Sequence, residues 1–223
     1  MKKLLAGIAG VAFAASVPLT AQEPLTAPGP QGDLAGTLIR PAHGAPVVIV
    51  IPGSGPTDRD GNNPAGVKAA PYRFLAAALG ERGVGTVRID KRGMFGSKSA
   101  VADANAVTID DYVTDVAAWT GAARAATGRE CVWLLGHSEG GLVALAAAQK
   151  VSNLCGIIVV ASPGRPMGTL LREQLSANPA NAPVLPDALS AIERLETGER
   201  VDVAALHPAL QGLFNPAVQG YLI

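Results

Sequence analysis

The chain of 223 residues carries no net charge, since 18 lysines and arginines balance 18 aspartates and glutamates. No basic cluster follows Lys2 and Lys3. Nucleic acid is therefore not an expected partner, because phosphate binding draws on a basic patch or stripe. Beyond the N-terminus no apolar run reaches the length needed to cross a bilayer. No internal repeat is visible. Histidine is scarce, with three in the chain, and cysteine scarcer still, with two. What remains is a chain 48% apolar, enough for a buried core in one domain.

The first residues read as a targeting segment. Met1-Lys2-Lys3 is a short basic start, Leu4 to Ala15 is apolar, and Leu19-Thr20-Ala21 ends on a small residue. Residues 1–21 are read as a secretory signal peptide cleaved after Ala21; an uncleaved N-terminal anchor is the alternative. The mature protein is then exported, periplasmic or secreted, with no membrane span after cleavage. Residues 22–32 hold three prolines and read as a flexible leader. Cys131 and Cys155 each open an expected strand, and export permits a disulfide between them. Two unpaired thiols packed as small hydrophobes fit equally well.

From Asp33 onward, apolar strands alternate with amphipathic helices. Strands are expected at Asp33–Arg40, at the β-branched run Val47–Ile51, at Val84–Ile89, at Cys131–Leu135 and at Cys155–Val160. Pro71 opens a helix whose apolar stripe is Tyr72, Leu75, Ala78 and Leu79. Thr108 caps a second helix, with Asp110 and Asp111 in its first turn and Ile109, Tyr112, Val113, Val116, Thr120 and Ala123 at helical spacing to Thr127. This pattern predicts an α/β fold: a mostly parallel sheet with helices on both faces. It spans residues 33–162. Residues 163–223 change character, with helical segments around Thr169–Ala177, Leu185–Glu196 and Val201–Leu210, and read as a helical cap over the strand ends.

Gly136-His137-Ser138-Glu139-Gly140 has the form G-x-S-x-G and lies between an expected strand and an alanine-rich helix. That setting makes it a candidate nucleophile elbow, with Ser138 projecting at a strand end and Gly136 and Gly140 leaving room for the tight turn. A glycine-rich turn whose serine merely caps the helix is the plainer reading. Acyl transfer also needs donors for the oxyanion. The elbow supplies the Glu139 N–H, and the glycine-rich loop after Ile51 supplies a second, assigned to Ser54 with Gly55 next; a simple tight turn is the alternative there. Asp58-Arg59-Asp60-Gly61-Asn62 has part of the spacing of a calcium loop, but the glycine comes early and no distal Glu follows. It reads as a loop stitched by its own Asp and Asn side chains. No metal or cofactor is expected. Asp90 and Arg92 follow a strand end, where they could pair, and are read as shaping the site rather than doing chemistry.

Three stretches carry a resemblance. Pro52-Gly53-Ser54-Gly55-Pro56-Thr57-Asp58-Arg59-Asp60-Gly61-Asn62, Arg88-Ile89-Asp90-Lys91-Arg92-Gly93-Met94-Phe95-Gly96-Ser97 and Gly136-His137-Ser138-Glu139-Gly140-Gly141 stand in the order and spacing of the α/β-hydrolase superfamily. Within it, the chain resembles bacterial carboxylesterases grouped with the S33 serine aminopeptidase-like hydrolases, from about Asp33 to Ile223. The resemblance implies hydrolysis of a small-molecule acyl ester through an acyl-serine intermediate. A peptidase on the same site, and a non-catalytic binding protein, are the competing functions.

The triad order of this fold is Ser, then Asp or Glu, then His. His43 precedes the serine, and His137 adjoins it and is expected to pack beneath the site. His207 follows it, with Asp187 and Asp202 between, but in the helical tail and with no strand before it. The acid and the base are therefore expected to lie in strand–helix units that the chain lacks. Since the hydrolases it resembles continue past the helical cap, the chain is expected to be a truncated product or gene fragment with its final strands missing, little turnover of its own, and the Cys155–Val160 strand at an open apolar edge.

Overall fold

A computed structural model describes residues 21–64, 66–215 and 219; the expected signal peptide lies outside them apart from Ala21. Six strands form one sheet in the order β1-β2-β4-β3-β5-β6. They are β1 (Gln22–Ala27), β2 (Leu34–Ile39), β3 (Val47–Ile51), β4 (Gly85–Ile89), β5 (Val132–His137) and β6 (Leu154–Val160). β3 pairs parallel with β4 and β5, and β5 parallel with β6, while β2 is antiparallel to both β1 and β4. Residues 22–32 thus do not start as a flexible leader. Gln22 to Ala27 pair residue for residue with Leu34 to Ile39, and the backbone hydrogen bonds of that ladder outweigh the proline content, with Pro24 on an edge strand where its missing N–H is tolerated.

β3 shows why the sheet is covered on both faces. Val47, Ile49 and Ile51 point into one core with Leu134, Val143, Val116 and Trp119, whereas Val48 and Val50 meet Tyr72 and Leu135 on the other. The first face is closed by α2 (Ile109–Thr127) and α3 (Glu139–Ala147), the second by α1 (Pro71–Gly80). α2 starts at a full capping box between Thr108 and Asp111 and stops at Gly128 with φ 68°. α1 buries Tyr72, Ala76 and Gly80 instead of the expected Leu75, Ala78 and Leu79. An i, i+4 row presents only one narrow stripe to the sheet, and Leu75 lies outside it, exposed.

The tail holds its own small core. α4 (Met167–Ala177) and α5 (Leu185–Glu196) match the expected segments, and Ala188, Ala191, Ile192 and Leu195 pack with Val201, Leu210 and Phe214. Val201–Leu210 is not the helix expected. Asp202 accepts the Ala204 N–H and His207 the Ala209 N–H, so two side-chain caps break the segment into a turn at Val203–Ala205 and the short α6 (Pro208–Gln211). Cys131 and Cys155 form a disulfide across β5 and β6, with 5.2 Å between their Cα atoms. β6 is the sheet edge among the described residues, and Ile158, Val159 and Val160 are exposed along it. No helix among the described residues is long and apolar enough to cross a membrane.

Candidate active site

β5 runs straight into the turn at Ser138, whose backbone sits at φ 54° and ψ −122°. A non-glycine residue with positive φ is costly and persists only where its surroundings hold it. Two hydrogen bonds do so. The Ser138 N–H donates to the Val160 carbonyl at 2.9 Å, and its own carbonyl accepts the Gly141 N–H at 2.9 Å. A Cβ on Gly136 would run into the Gly140 carbonyl, and one on Gly140 into the Ile51 carbonyl. Both clashes are with backbone, which cannot swing away as a side chain would. The elbow is therefore closed by glycine on both sides of Ser138.

Ser138 is half-buried, and its Oγ has no hydrogen-bond partner among the described residues. The loop after β3 lies against it. A Cβ built on Gly53 would stand 3.3 Å from Ser138 Cβ and 3.3 Å from His137 Nδ1. Ser54 follows in that loop, and Glu139 opens α3 on the other side of the serine. The N–H groups of Ser54 and Glu139 donate to no acceptor among the described residues. A cleft of about 260 Å³ opens here, with Gly53, Ser54, Thr57, Tyr72, His137 and Ser138 in its walls. A larger cleft, of about 850 Å³, lies between Leu142 and Leu145 of α3 and Pro163–Met167 without including Ser138.

His137 does not pack beneath the site but lines the cleft, with its Nδ1 2.8 Å from the Tyr72 hydroxyl. His43 stands exposed in its turn, and His207 caps α6 through its Nδ1. Neither is hydrogen-bonded to Ser138.

The loops around the site are tied by ion pairs between elements distant in sequence. Asp90 and Arg92 do not meet each other. Asp90, 2% exposed, accepts from Arg59 Nη2 at 2.5 Å and from the Arg59 and Gly96 backbone N–H groups. Arg92 turns the other way, onto Asp115 at 2.7 Å and Asp111 at 2.9 Å in α2. Partners on elements distant in sequence outcompete a neighbour two residues along the chain. Arg88, 1% exposed, pairs with Asp60. Within the loop, Asp58 Oδ1 accepts the N–H groups of Asp60 and Asn62, which is the self-stitching expected of it. No group of three His, Cys, Asp or Glu among the described residues is placed to hold a metal.

Two polar links around Ser138 carry little or no signal in the sequence. Lys91 Nζ meets Glu139 Oε1, and Tyr72 reaches His137. Tyr72 carried only a helical-spacing signal and Lys91 none.

A family model described as serine aminopeptidase, S33, matches residues 66–191, more than half of the chain. The chain belongs to this family of α/β hydrolases. Among solved structures it is similar to GrgF, an α/β hydrolase from Penicillium sp. sh18, at 21% identity and TM-score 0.55, covering 91% of this chain and 72% of that one. It is similar also to a thermostable carboxyl esterase from Bacillus coagulans, at 18% identity and TM-score 0.54, covering 70% of this chain and 50% of that one. An α/β serine hydrolase from Xanthomonas campestris matches at 27% identity and TM-score 0.49, covering 66% of this chain and 64% of that one. The chain thus spans about half to two-thirds of the length of the last two. Among curated proteins there is no match. The mostly parallel sheet of six strands among the described residues, with helices on both faces, is the α/β arrangement that the strand and helix pattern predicted, and it is the hydrolase fold that the resemblance implied.

Proposed function

We propose that this family member is a serine hydrolase of the carboxylesterase type, with Ser138 as nucleophile and the N–H groups of Ser54 and Glu139 as oxyanion donors. The observation that carries the reading is the backbone of Ser138, held at φ 54° between a strand end and a helix N-terminus, with the Gly53–Ser54 loop against it. Attack by Ser138 Oγ on an ester carbonyl forms a tetrahedral intermediate whose oxygen takes both N–H groups. Collapse expels the alcohol and leaves an acyl-serine, which water hydrolyses. The cleft of about 260 Å³ suits a small acyl group.

A general base within reach of Ser138 Oγ is needed to take its proton. The described residues place no histidine there, so turnover through Ser138 is expected to be far slower than that of a serine beside its base, with solvent water taking the proton. Export to the periplasm or medium belongs to the same reading, since the disulfide between Cys131 and Cys155 suits an oxidising compartment. A peptidase acting on amino-acyl amides is the second reading, favoured by the family's description as serine aminopeptidases.

Hydrolysis of p-nitrophenyl acetate and of amino-acyl p-nitroanilides, each with and without Ser138→Ala, tests both. Ester turnover that exceeds amide turnover and vanishes in the variant is the expected result. Turnover indifferent to Ser138→Ala removes the hydrolase reading, and leaves a binding protein.

A further inference from the structure

Between Ile51 and Pro56 the loop carrying Ser54 is tied to the rest of the protein by one hydrogen bond among the described residues. The Gly53 N–H donates to the Tyr72 hydroxyl at 3.4 Å. The remaining bonds of this stretch, from Thr57 to the Ser54 and Gly55 carbonyls, stay inside the loop. The same Tyr72 hydroxyl lies 2.8 Å from His137 Nδ1, one residue before Ser138. One phenol oxygen therefore touches both segments that the proposed chemistry needs in register: the loop with one oxyanion donor and the elbow with the nucleophile and the other.

Resting on the reading of Ser138 as nucleophile, we propose that Tyr72 is a positioning residue whose hydroxyl clamps the Gly53–Ser54 loop to the elbow by accepting the Gly53 N–H and donating to His137 Nδ1. The ring is well held for that task. Tyr72 is buried in the first turn of α1, its backbone N–H donating to the Asp60 carbonyl at 3.1 Å. Its ring meets the His137 imidazole edge-on at 5.8 Å between centroids. Burial raises the phenol above its ordinary pKa, so the hydroxyl keeps the proton it donates. That donation fixes His137 as the tautomer protonated at Nε2. The clamp matters because an oxyanion donor acts only within hydrogen-bond range of the developing charge, and a displacement of about 1 Å costs on the order of 10²-fold in rate.

Tyr72→Phe removes the hydroxyl and keeps the ring. In the described protein, amide hydrogen exchange and backbone ¹⁵N relaxation read the clamp without any need for turnover. Expected is at least tenfold faster exchange at Gly53 and a lower order parameter at Ser54, with the amides of β3, β4 and β5 within twofold of wild type. In the wild-type protein the ¹⁵N shifts of His137 are expected to show a bare Nδ1 and a protonated Nε2. Where Ser138-dependent ester turnover is measurable, Tyr72→Phe is expected to lower kcat about tenfold with KM within twofold. Unchanged exchange at Gly53, an equal acceleration across the whole sheet, or a proton on His137 Nδ1 in the wild type each overturns the clamp. Absence of Ser138-dependent turnover in the wild type overturns the hydrolase reading instead, and the exchange result still decides the role of Tyr72.

Discussion

Lys91 Nζ lies 2.9 Å from Glu139 Oε1, with both side chains almost wholly buried, at 3% and 7% exposed. Glu139 is the first residue of α3 and the neighbour of Ser138; Lys91 stands just past the end of β4. The pair ties the strand-end segment Asp90–Arg92 to the turn at Ser138 and compensates the carboxylate that adjoins that serine. The ammonium also lies 5.3 Å from the centre of the Tyr112 ring. Burial pushes Lys91 below its ordinary pKa, and the Glu139 carboxylate counters that shift in part.

Removing one member of such a pair leaves the other buried and unpaired. Lys91→Met is expected to cost about 3–5 kcal/mol of unfolding free energy in urea titrations. Lys91→Met with Glu139→Gln removes both charges and is expected to recover most of that loss. A double variant no more stable than the single one would falsify the pairing as the source of the cost.

Asp111 gives a pH dependence of known sign. The Thr108 backbone N–H, with the Thr108 hydroxyl and Arg92, holds its carboxyl below the usual range. A carboxyl whose folded pKa is lowered adds stability above its unfolded value near ~3.9, and loses it as pH falls through the folded value. Asp111→Asn is expected to cost no more than about 1 kcal/mol at pH 7, since solvent screens this half-exposed cap. The difference from wild type is expected to shrink toward zero in urea titrations carried below that range. A difference independent of pH would remove the charge from the account.

The disulfide closes a stretch with a sequence separation of 24 residues and fastens β6 to β5. Chain-entropy arguments give about 3.5 kcal/mol for a loop of this size. Reduction by dithiothreitol is expected to lower the urea midpoint accordingly. Exchange is expected to accelerate first at Leu154–Ile157, next to the severed bond. An unchanged midpoint after complete reduction would count against this.

The sequence made the fold legible where local pattern and tertiary packing agree. Val47–Ile51 is apolar throughout because both its faces are buried, and the capping box of α2 is written in Thr108 and Asp111 themselves. The elbow is readable for the same reason: its glycines are required by backbone clashes within a few residues and with β3. Partners chosen in three dimensions were not legible. Nothing near Asp90 names Arg59, thirty-one residues earlier, and nothing near Lys91 names Glu139. β1 was hidden because prolines marked it as a leader, while its partner strand β2 lay a turn away. The cap segment Val201–Leu210 misled because its helical spacing was real but Asp202 and His207 spent their side chains on capping instead of continuing.

β6 is the sheet edge among the described residues, and its exposed apolar side chains make self-association the expected behaviour of this chain in solution. Leu154–Val160 carries no charge and no proline, and Ile158 and Val160 share one face at 39% and 42% exposure. A free apolar strand edge is a template for pairing with another copy, and a lysine on it is the usual guard against that. Ile158→Lys with Val160→Lys is therefore expected to suppress concentration-dependent self-association. Light scattering and sedimentation across a hundredfold concentration range read this directly. The melting temperature is expected to stay within a few degrees, because exposed positions of an edge strand contribute little packing. Self-association that persists unchanged in the double variant would place the contact elsewhere, with the exposed Leu142 and Leu145 of α3 the next surface to charge.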